Sequence, residues 1–247
     1  MENRTILTTG AYGRLGKVLQ TLDWGTSVLL TPNKAELDIT NESSVMRYFE
    51  KHSIQALIHC AALTDMKKCE LEPSLAIATN VEGTAHVVRA LLMHCPQARM
   101  MYLSTDYVYP SLNGPYGEND LVKPFNLYAT TKLGGEWVAQ AIPNHCIMRT
   151  SFFNPDHIPF DSAPSDAFCS KISFREGAEA VRFLLENDFV GVINVGRDKI
   201  SLYDLLRTYR PDIRPISLEE VNRTAPVKRA PDSSLDVRLW KKLRGLK

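Results

Sequence analysis

Three glycines near the start of the chain constrain its fold more than any other feature of the sequence. Gly10, Gly13 and Gly16 have the spacing G-x-x-G-x-x-G and separate an apolar strand pattern from a helix pattern. Glycines at such a junction permit a tight turn and let the backbone approach a pyrophosphate, while the helix N-terminus offers free N–H groups. The sequence therefore predicts a dinucleotide-binding turn, although a glycine triplet alone also occurs in ordinary strand–helix turns.

Strand and helix patterns alternate through the first 150 residues. The pattern predicts strands at Arg4–Thr9, Ser27–Leu30, Ala56–Cys60, Met100–Ser104 and Cys146–Arg149. It predicts helices at Leu15–Leu22, Glu42–Lys51, Pro73–His94 and Tyr128–Ala141. Such alternation is typical of a parallel sheet covered by helices on both faces, so we predict an α/β fold with a doubly wound, Rossmann-type sheet.

The composition changes after Arg149. The stretch Asn154–Pro164 contains three prolines and predicts a loop, and the stretch Arg210–Pro231 is rich in Pro and Arg. Between them lie two helix patterns, Ala178–Glu186 and Leu202–Tyr209, and one short strand pattern, Val192–Val195. We therefore predict a Rossmann domain over residues 1–150, rejoined by about residues 190–196. Residues 151–189 and 197–247 would form a small C-terminal substrate-binding cap.

Composition also narrows the class of partner. The formal net charge is +1, so the chain has no strong positive field that would attract nucleic acid. No apolar run approaches the roughly 18 residues that a membrane span needs. The segment Met1–Arg4 runs directly into the first strand, which leaves no room for a signal peptide. The five scattered cysteines include no C-x-x-C pair and indicate reduced thiols. We expect a cytoplasmic protein without a nucleic-acid partner, a membrane anchor or a metal site.

The end of the second strand bears on the choice of dinucleotide. Selectivity for NAD usually needs an acidic residue there, and Leu30–Lys34 contains none. Arg14 and Lys34 could both meet a 2′-phosphate, which favours NADP(H) over NAD(H). The alternative is that both are solvated surface cations.

Tyr128 and Lys132 form a Y-x-x-x-K pair at the start of a predicted helix, where a spacing of four places both on one face. A phenol has an ordinary pKa near 10, and a neighbouring ammonium favours the phenolate that acid–base catalysis needs. The alternative is a helix with a buried Tyr and an exposed Lys. Ser104 and Thr105 lie at the C-terminal end of a predicted strand, where ligands bind in open α/β sheets, and a hydroxyl there can donate to a carbonyl oxygen. The alternative is that both hydroxyls belong to an ordinary turn after the strand.

Taken in order, these motifs resemble those of the extended short-chain dehydrogenase/reductase family and, within it, the dTDP-4-dehydrorhamnose reductases. The likeness is dense over residues 1–151 and sparse beyond them. It is carried by Gly10–Gly16, Glu36–Thr40, Ile58–Asp65, Asn80–Thr84, Leu103–Tyr109, Pro124–Glu136, Met148–Ser151 and Arg229–Asp236.

The resemblance implies a role for each matching residue. Thr105 would hydrogen-bond the substrate carbonyl, Tyr128 would deliver a proton, and Lys132 would hold the cofactor ribose and tune Tyr128. The cofactor would also contact Gly10, Tyr12, Gly13, Arg14, Leu15, Gly16, Asp38, Ile39, Ala61, Ala62 and Asn80. The substrate would contact Thr64, Asp106, Tyr107, Arg149 and Phe152.

The resemblance implies reduction of a 4-keto nucleotide sugar, but the sequence departs from the family at three places. His59-Cys60 replaces the usual Asn-Ala, Phe152 replaces a tryptophan, and the stretch between Phe153 and Ile172 is short. Two alternatives stay open. One is a nucleotide-sugar epimerase or dehydratase, with Asp106 and Tyr107 beside Thr105 as candidate acids. The other is a non-catalytic NADP-binding regulatory subunit like the beta subunit of methionine adenosyltransferase.

Gly134 and Gly135 on the predicted catalytic helix bear on the oligomeric state. Two adjacent glycines let another helix approach closely, so they would allow a homodimer. Packing inside a single chain explains them equally well.

Overall fold

The first part of the chain alternates strands and helices in a computed structural model that describes residues 4–225 and 227–246. Its strands are β1 (Thr5–Thr9), β2 (Val28–Leu30), β3 (Ala56–His59), β4 (Arg99–Thr105) and β5 (His145–Thr150). Its α-helices are α1 (Arg14–Leu19), α2 (Glu42–Lys51), α3 (Met66–Leu71), α4 (Pro73–Ile77), α5 (Gly83–His94) and α6 (Leu127–Ala139). A π-helical segment covers Ala78–Glu82, and a 3-10 turn covers Asp106–Val108.

The later part of the chain has shorter elements. Its strands are β6 (Phe152–Phe153), β7 (Ser162–Pro164), β8 (Phe168–Cys169), β9 (Ile172–Ser173), β10 (Gly191–Asn194), β11 (Ile200–Ser201) and β12 (Arg214–Ile216). Its helices are α7 (Phe174–Glu186), α8 (Leu202–Arg207), α9 (Leu218–Thr224) and α10 (Arg238–Leu243). The last residues of the stretch predicted to be a loop, Ser162–Pro164, form strand β7 instead. They do so because β7 pairs in parallel with β12, which lies about fifty residues further along the chain.

The central sheet has six strands in the order β10-β5-β4-β3-β1-β2. Strand β1 pairs in parallel with β2 and β3, and β3 pairs in parallel with β4. This arrangement confirms the predicted doubly wound α/β fold. Strand β10 lies at the edge of this sheet. That residues 190–196 rejoin the Rossmann domain stays a prediction.

Helix boundaries follow local capping more than periodicity. The Asn126 side chain accepts a hydrogen bond from the Ala129 N–H, so helix α6 begins at Leu127. The helix predicted over Pro73–His94 is observed over the same range, but it is not α-helical throughout, because the π-helical segment lies between α4 and α5. π-helical segments inserted in helices are frequent at functional sites, and this one carries Asn80.

The chain divides into two compact units. Of the described residues, the first unit comprises 4–104, 126–148 and 175–192, and the second comprises 105–125, 149–174, 193–225 and 227–246. The predicted domain boundaries differ from this division, because the prediction placed residues 105–125 with the Rossmann domain and residues 175–189 with the cap. None of the described helices is both long and apolar enough to cross a membrane.

Each unit has its own apolar core. In the first unit, strand residues such as Leu57 and Met100 pack with Phe49 of α2 and Leu91 of α5. In the second unit, one buried cluster consists of Phe153, Ala163, Cys169, Leu205, Leu206 and Ile213. Further buried apolar residues of this unit include Tyr109, Val195 and Trp240.

Candidate active site

The glycine turn after β1 is tightly packed against the neighbouring backbone. Gly10 has φ +68°, and a Cβ atom there would lie 2.6 Å from the Ala61 nitrogen. A Cβ atom at Gly16 would lie 2.5 Å from the carbonyl oxygens of Gly10 and Ala11. The Gly13 N–H donates to the Gly10 carbonyl at 2.9 Å, closing the turn. These contacts explain why glycine is needed at positions 10 and 16.

A cleft of about 310 Å³ in the first unit lies beside this turn, within the range of small-molecule sites. Seven of the residues predicted to bind a cofactor line it: Gly10, Tyr12, Gly13, Asp38, Ile39, Ala61 and Ala62. The structure thus brings the glycine turn and the Asp38-Ile39 segment to one cleft, although they are more than twenty residues apart in sequence.

Other predicted cofactor residues lie outside the lining of this cleft. Arg14 is exposed, whereas Leu15 and Gly16 are buried. The cleft is also lined by residues that were not predicted to bind the cofactor: Thr9, Ala11, Pro32, Asn33, Leu37, Thr40, Cys60 and Thr79. Leu37 and Thr40 flank the predicted pair within the Glu36–Thr40 motif, which was a usable signal. Thr79 gave no signal, because its position depends on the packing of the π-helical segment.

Asp38 carries a negative charge at the cleft. Burial raises the pKa of Asp38, but hydrogen bonds from Thr40 and the charge of Lys34 outweigh it and leave the pKa below its ordinary value. The Thr40 N–H and hydroxyl donate to the carboxylate at 3.0 and 2.7 Å. Lys34 Nζ lies 3.7 Å from Asp38 Oδ2 with its side chain 79% exposed. Lys34 is therefore a surface cation at the cleft, free to reorient toward an anion.

Helix α6 places Tyr128 and Lys132 one turn apart, with Tyr128 half-buried and Lys132 only 3% exposed. The interpretation of Lys132 as an exposed surface residue is therefore wrong. Its ammonium donates to the Tyr102 hydroxyl at 2.9 Å. Burial lowers the pKa of Lys132 to about 8, against the opposing influence of Glu136 and Cys60.

The polar groups near Lys132 are buried and hydrogen-bonded. The Glu136 carboxylate accepts a hydrogen bond from the Ser104 hydroxyl. The His59 ring lies between two hydroxyls, with Nδ1 2.7 Å from Thr9 Oγ1 and Nε2 3.1 Å from Thr84 Oγ1. Burial, with the charge of Lys132, lowers the pKa of His59 to about 3, so the ring is neutral at ordinary pH. The sequence marked His59 only as a departure from the family and gave no sign that His59 and Glu136 lie near Lys132.

Asn80 holds the segment after β3 against α6. Its amide donates to the Leu63 carbonyl at 3.0 Å and to the Thr131 hydroxyl at 2.9 Å, and its oxygen accepts from the Leu63 N–H at 2.8 Å. Asn80 is 1% exposed and supports the cleft wall that Ala61 and Ala62 form. Thr64, predicted to contact substrate, follows this segment and is exposed.

Both glycines of α6 have internal packing partners. A Cβ atom at Gly134 would lie 3.1 Å from a Val81 methyl group. A Cβ atom at Gly135 would lie 2.8 Å from the Asn80 carbonyl oxygen. Packing within the chain therefore accounts for both residues without a second copy.

The predicted substrate residues of the second unit belong to a hydrogen-bonded network. Thr105 ends β4, and its hydroxyl donates to Asp106 Oδ1 at 3.1 Å. Asp106 is 1% exposed, and its Oδ2 accepts from the Ser151 and Ser233 hydroxyls at 2.9 and 2.8 Å. Asp106 thus joins three separate segments of this unit.

Aromatic and cationic contacts account for the remaining predicted residues. Buried Arg149 donates to the Tyr109 hydroxyl at 2.8 Å. The Phe152 ring stacks on Phe174 with centroids 5.0 Å apart. Tyr107 meets Phe125 edge-on at 5.0 Å, and burial raises the pKa of Tyr107.

The second unit also has a cleft of about 700 Å³. None of the predicted substrate residues lines it. Its walls come from β7, α8, β12, α9 and Arg229. Within residues 4–225 and 227–246, no group of three or more His, Cys, Asp or Glu side chains is arranged to hold a metal ion.

Comparison with known proteins places the chain among reductase-like proteins. A family model described as RmlD substrate binding domain matches residues 4–157. A dTDP-4-dehydrorhamnose reductase of Aggregatibacter actinomycetemcomitans is 34% identical over 151 residues, which is 60% of this chain and 51% of that protein. The methionine adenosyltransferase 2 subunit beta of Danio rerio is 32% identical over 152 residues, covering 58% of this chain and 45% of that protein. The chain spans about half the length of these curated relatives.

A solved structure extends the likeness over nearly the whole chain. The dTDP-4-dehydrorhamnose reductase from Bacillus anthracis str. Ames, in complex with NADP, superposes with a TM-score of 0.86 at 26% identity. The superposition covers 99% of this chain and 94% of that one. Together these comparisons confirm the resemblance that the sequence motifs indicated.

Proposed function

The chain belongs to the family of RmlD substrate binding domains, and on this premise we propose that it is an NADP(H)-dependent reductase of a 4-keto nucleotide sugar. One observation carries the proposal. The residues that the family model matches include both the glycine-lined cleft and helix α6 with its buried Lys132. A reductase needs both a cofactor site and an acid–base pair, and the same unit supplies candidates for each.

The cleft suits a dinucleotide. The backbone of Gly10 and Gly13 lines the cleft and would hold the pyrophosphate there. Asp38 and Ile39 would flank the adenine. Arg14 and Lys34 would meet a 2′-phosphate, which supports NADP(H) over NAD(H). A reduced nicotinamide, when bound, supplies the hydride for the carbonyl carbon.

The side chains would handle the proton and the carbonyl oxygen. Tyr128 would give its phenolic proton to that oxygen, and the Lys132 ammonium would hold the cofactor ribose and favour the phenolate that remains. Thr105 would donate a hydrogen bond to the same oxygen. The nucleotide sugar would contact Thr64, Asp106, Tyr107, Arg149 and Phe152, with a cap formed by residues 151–189 and 197–247.

The test is a reductase assay with purified protein, NADPH and a dTDP-4-keto-6-deoxy sugar. We expect the absorbance of the reduced nicotinamide to fall only when the sugar is present, and the matched Lys132→Met variant to lose this activity. Parallel reactions with UDP- and GDP-linked 4-keto sugars and with NADH would define substrate and cofactor. If none of the 4-keto sugars is reduced, the proposal is wrong.

A second candidate is a non-catalytic NADP-binding regulatory subunit. The 32% identity with the methionine adenosyltransferase 2 subunit beta of Danio rerio favours it. Such a protein would bind NADPH and turn over no 4-keto sugar, so the same assay separates the two functions. The epimerase or dehydratase alternative finds less support, because Asp106 already accepts hydrogen bonds from Ser151 and Ser233.

A further inference from the structure

The hydroxyl group of Tyr102 contacts Lys132 at two points. The Lys132 ammonium donates to it at 2.9 Å, and the hydroxyl itself donates to the Lys132 backbone carbonyl at 3.2 Å. The same ammonium lies 4.1 Å from the centroid of the Tyr102 ring. Tyr102 is fully buried on β4, and Lys132 is nearly so. One residue therefore restrains both the backbone and the charged end of Lys132.

Gly135 makes room for this hydroxyl. A Cβ atom at position 135 would overlap the Tyr102 hydroxyl oxygen and would lie 2.9 Å from the ring carbon that bears it. Glycine costs helical stability relative to alanine, so its presence in the middle of α6 needs a packing reason. The Tyr102 hydroxyl and the Asn80 carbonyl provide that reason.

Several titratable groups influence Lys132. Glu136 lies one turn further along α6, and His59 and Cys60 lie at the end of β3. Burial raises the pKa of Cys60 to about 12 and the pKa of Tyr102 well above its ordinary value, while His59 is held neutral. Tyr128, on the same helix, acts electrostatically on Tyr102. Glu136 is therefore the charged neighbour of Lys132, and Tyr102 is a neutral hydrogen-bond acceptor.

We propose that Tyr102 is a positioning residue for Lys132: its hydroxyl, admitted by Gly135, holds the ammonium in place and stabilises its charged form. Tyr102 acts through Lys132 and has no assigned contact with substrate or cofactor. This inference rests on the proposed reductase function for its catalytic meaning, but its physical content is a property of the cofactor-free protein.

The direct test is an NMR titration of protein labelled with ¹³C at the lysine ε-carbons, without cofactor. The Lys132→Met variant identifies the Lys132 resonance, which should titrate near pH 8 in the wild type. In Tyr102→Phe the ammonium loses an acceptor, so its midpoint should fall by about 0.5 to 1 pH unit. Tyr48→Phe removes a hydroxyl from the same unit at a site stacked on His52 and should leave the midpoint unchanged. An unchanged midpoint in folded Tyr102→Phe would overturn the proposal.

A second measurement does not require a change at Tyr102. In wild-type protein labelled at the tyrosine ζ-carbons, one buried tyrosine resonance should move through the same midpoint as Lys132. It should lose this pH dependence in Lys132→Met. If every tyrosine resonance ignores the Lys132 titration, the contact is absent in solution and the inference fails.

The activity of the same variants shows whether the contact matters for catalysis. Because the charged ammonium is the active form, activity should be lost as the pH rises through the Lys132 pKa. In Tyr102→Phe the midpoint of this loss should fall by about 0.5 to 1 pH unit, as the NMR midpoint does. The KM for the sugar should change by less than about 2-fold. A merely structural role would lower activity equally at all pH values and would overturn the proposal. Absence of sugar reduction in the wild type would defeat the reductase function while leaving the NMR result intact.

Discussion

The two units bury polar side chains in different ways. In the first unit, the buried Lys132 ammonium adjoins a tyrosine hydroxyl on a neighbouring strand, and a cleft is lined by the glycine turn together with Lys34 and Asp38. In the second unit, Asp106 is enclosed by three hydroxyl donors. Burial of an ion with few partners shifts its pKa, as it does for Lys132, and such shifts are common at functional sites.

This difference affects how well the structure supports the residues predicted to bind cofactor and those predicted to bind substrate. Asp106 and Arg149 were both predicted to contact substrate, yet Asp106 accepts a hydrogen bond from Ser151 and Arg149 donates one to Tyr109, both in the same unit. Each joins two segments of its own unit. The cofactor side of the proposed site therefore has the stronger structural support, and the substrate side depends more on the family resemblance.

The change Tyr128→Phe tests the catalytic role assigned to the first unit and has the largest expected effect. Removal of the phenolic proton should lower kcat by about 10²- to 10⁴-fold, while NADPH affinity stays within about 2-fold. Steady-state kinetics and a fluorescence titration with NADPH measure the two quantities. Normal turnover in this variant would remove Tyr128 from the mechanism.

A glycine exchange in each unit compares their backbones. Gly10→Ala introduces a side chain at φ +68° against Ala61 and should lower the free energy of unfolding by about 2 to 4 kcal/mol and abolish NADPH binding. Gly117→Ala is the control, because the nearest atom to its Cβ would be 3.9 Å away. The Gly117→Ala substitution should change the free energy of unfolding by less than about 1 kcal/mol. Urea denaturation followed by circular dichroism provides the measurement, and equal effects would contradict the strain assigned to Gly10.

Asp106→Asn tests whether the second unit depends on its buried carboxylate. One oxygen becomes an amide nitrogen, so hydroxyl donors from Ser151, Ser233 or Thr105 lose their acceptor. We expect a loss of about 1 to 3 kcal/mol in unfolding free energy with NADPH affinity unchanged. Asp120→Asn, at an exposed carboxylate of the same unit, should cost less than about 0.5 kcal/mol. If the free energy of NADPH binding fell by as much as the free energy of unfolding, the cofactor site would depend on the second unit as well, and the distinction between the units would be wrong.

The smallest expected effect concerns cofactor choice in the first unit. Lys34→Ala should raise the Kd for NADPH by about 2- to 5-fold and leave the Kd for NADH unchanged, because an exposed ion pair is weak. Lys51→Ala, an exposed lysine at the end of α2, is the control. Isothermal titration calorimetry with NADPH and with NADH measures both Kd values for each variant. Equal losses for NADPH and NADH would show that Lys34 does not recognise a 2′-phosphate.

The sequence by itself determined the fold class and the local motifs of the first unit. The Gly10–Gly16 turn and the Tyr128–Lys132 pair each lie within seven consecutive residues, so spacing alone reveals them. The alternation of strand and helix patterns identified the sheet, because burial on both faces leaves apolar strands between amphipathic helices. Both kinds of signal depend on neighbours in sequence.

Only the tertiary structure decided how these motifs are surrounded. The hydroxyl that holds Lys132 comes from Tyr102, 30 residues away, and Ser233 donates to Asp106 across 127 residues. The π-helical segment at Asn80 and the β7–β12 pairing likewise depend on partners remote in the chain. Local propensity carries no information about such contacts, because their energy is realised only when the chain has brought the two segments together.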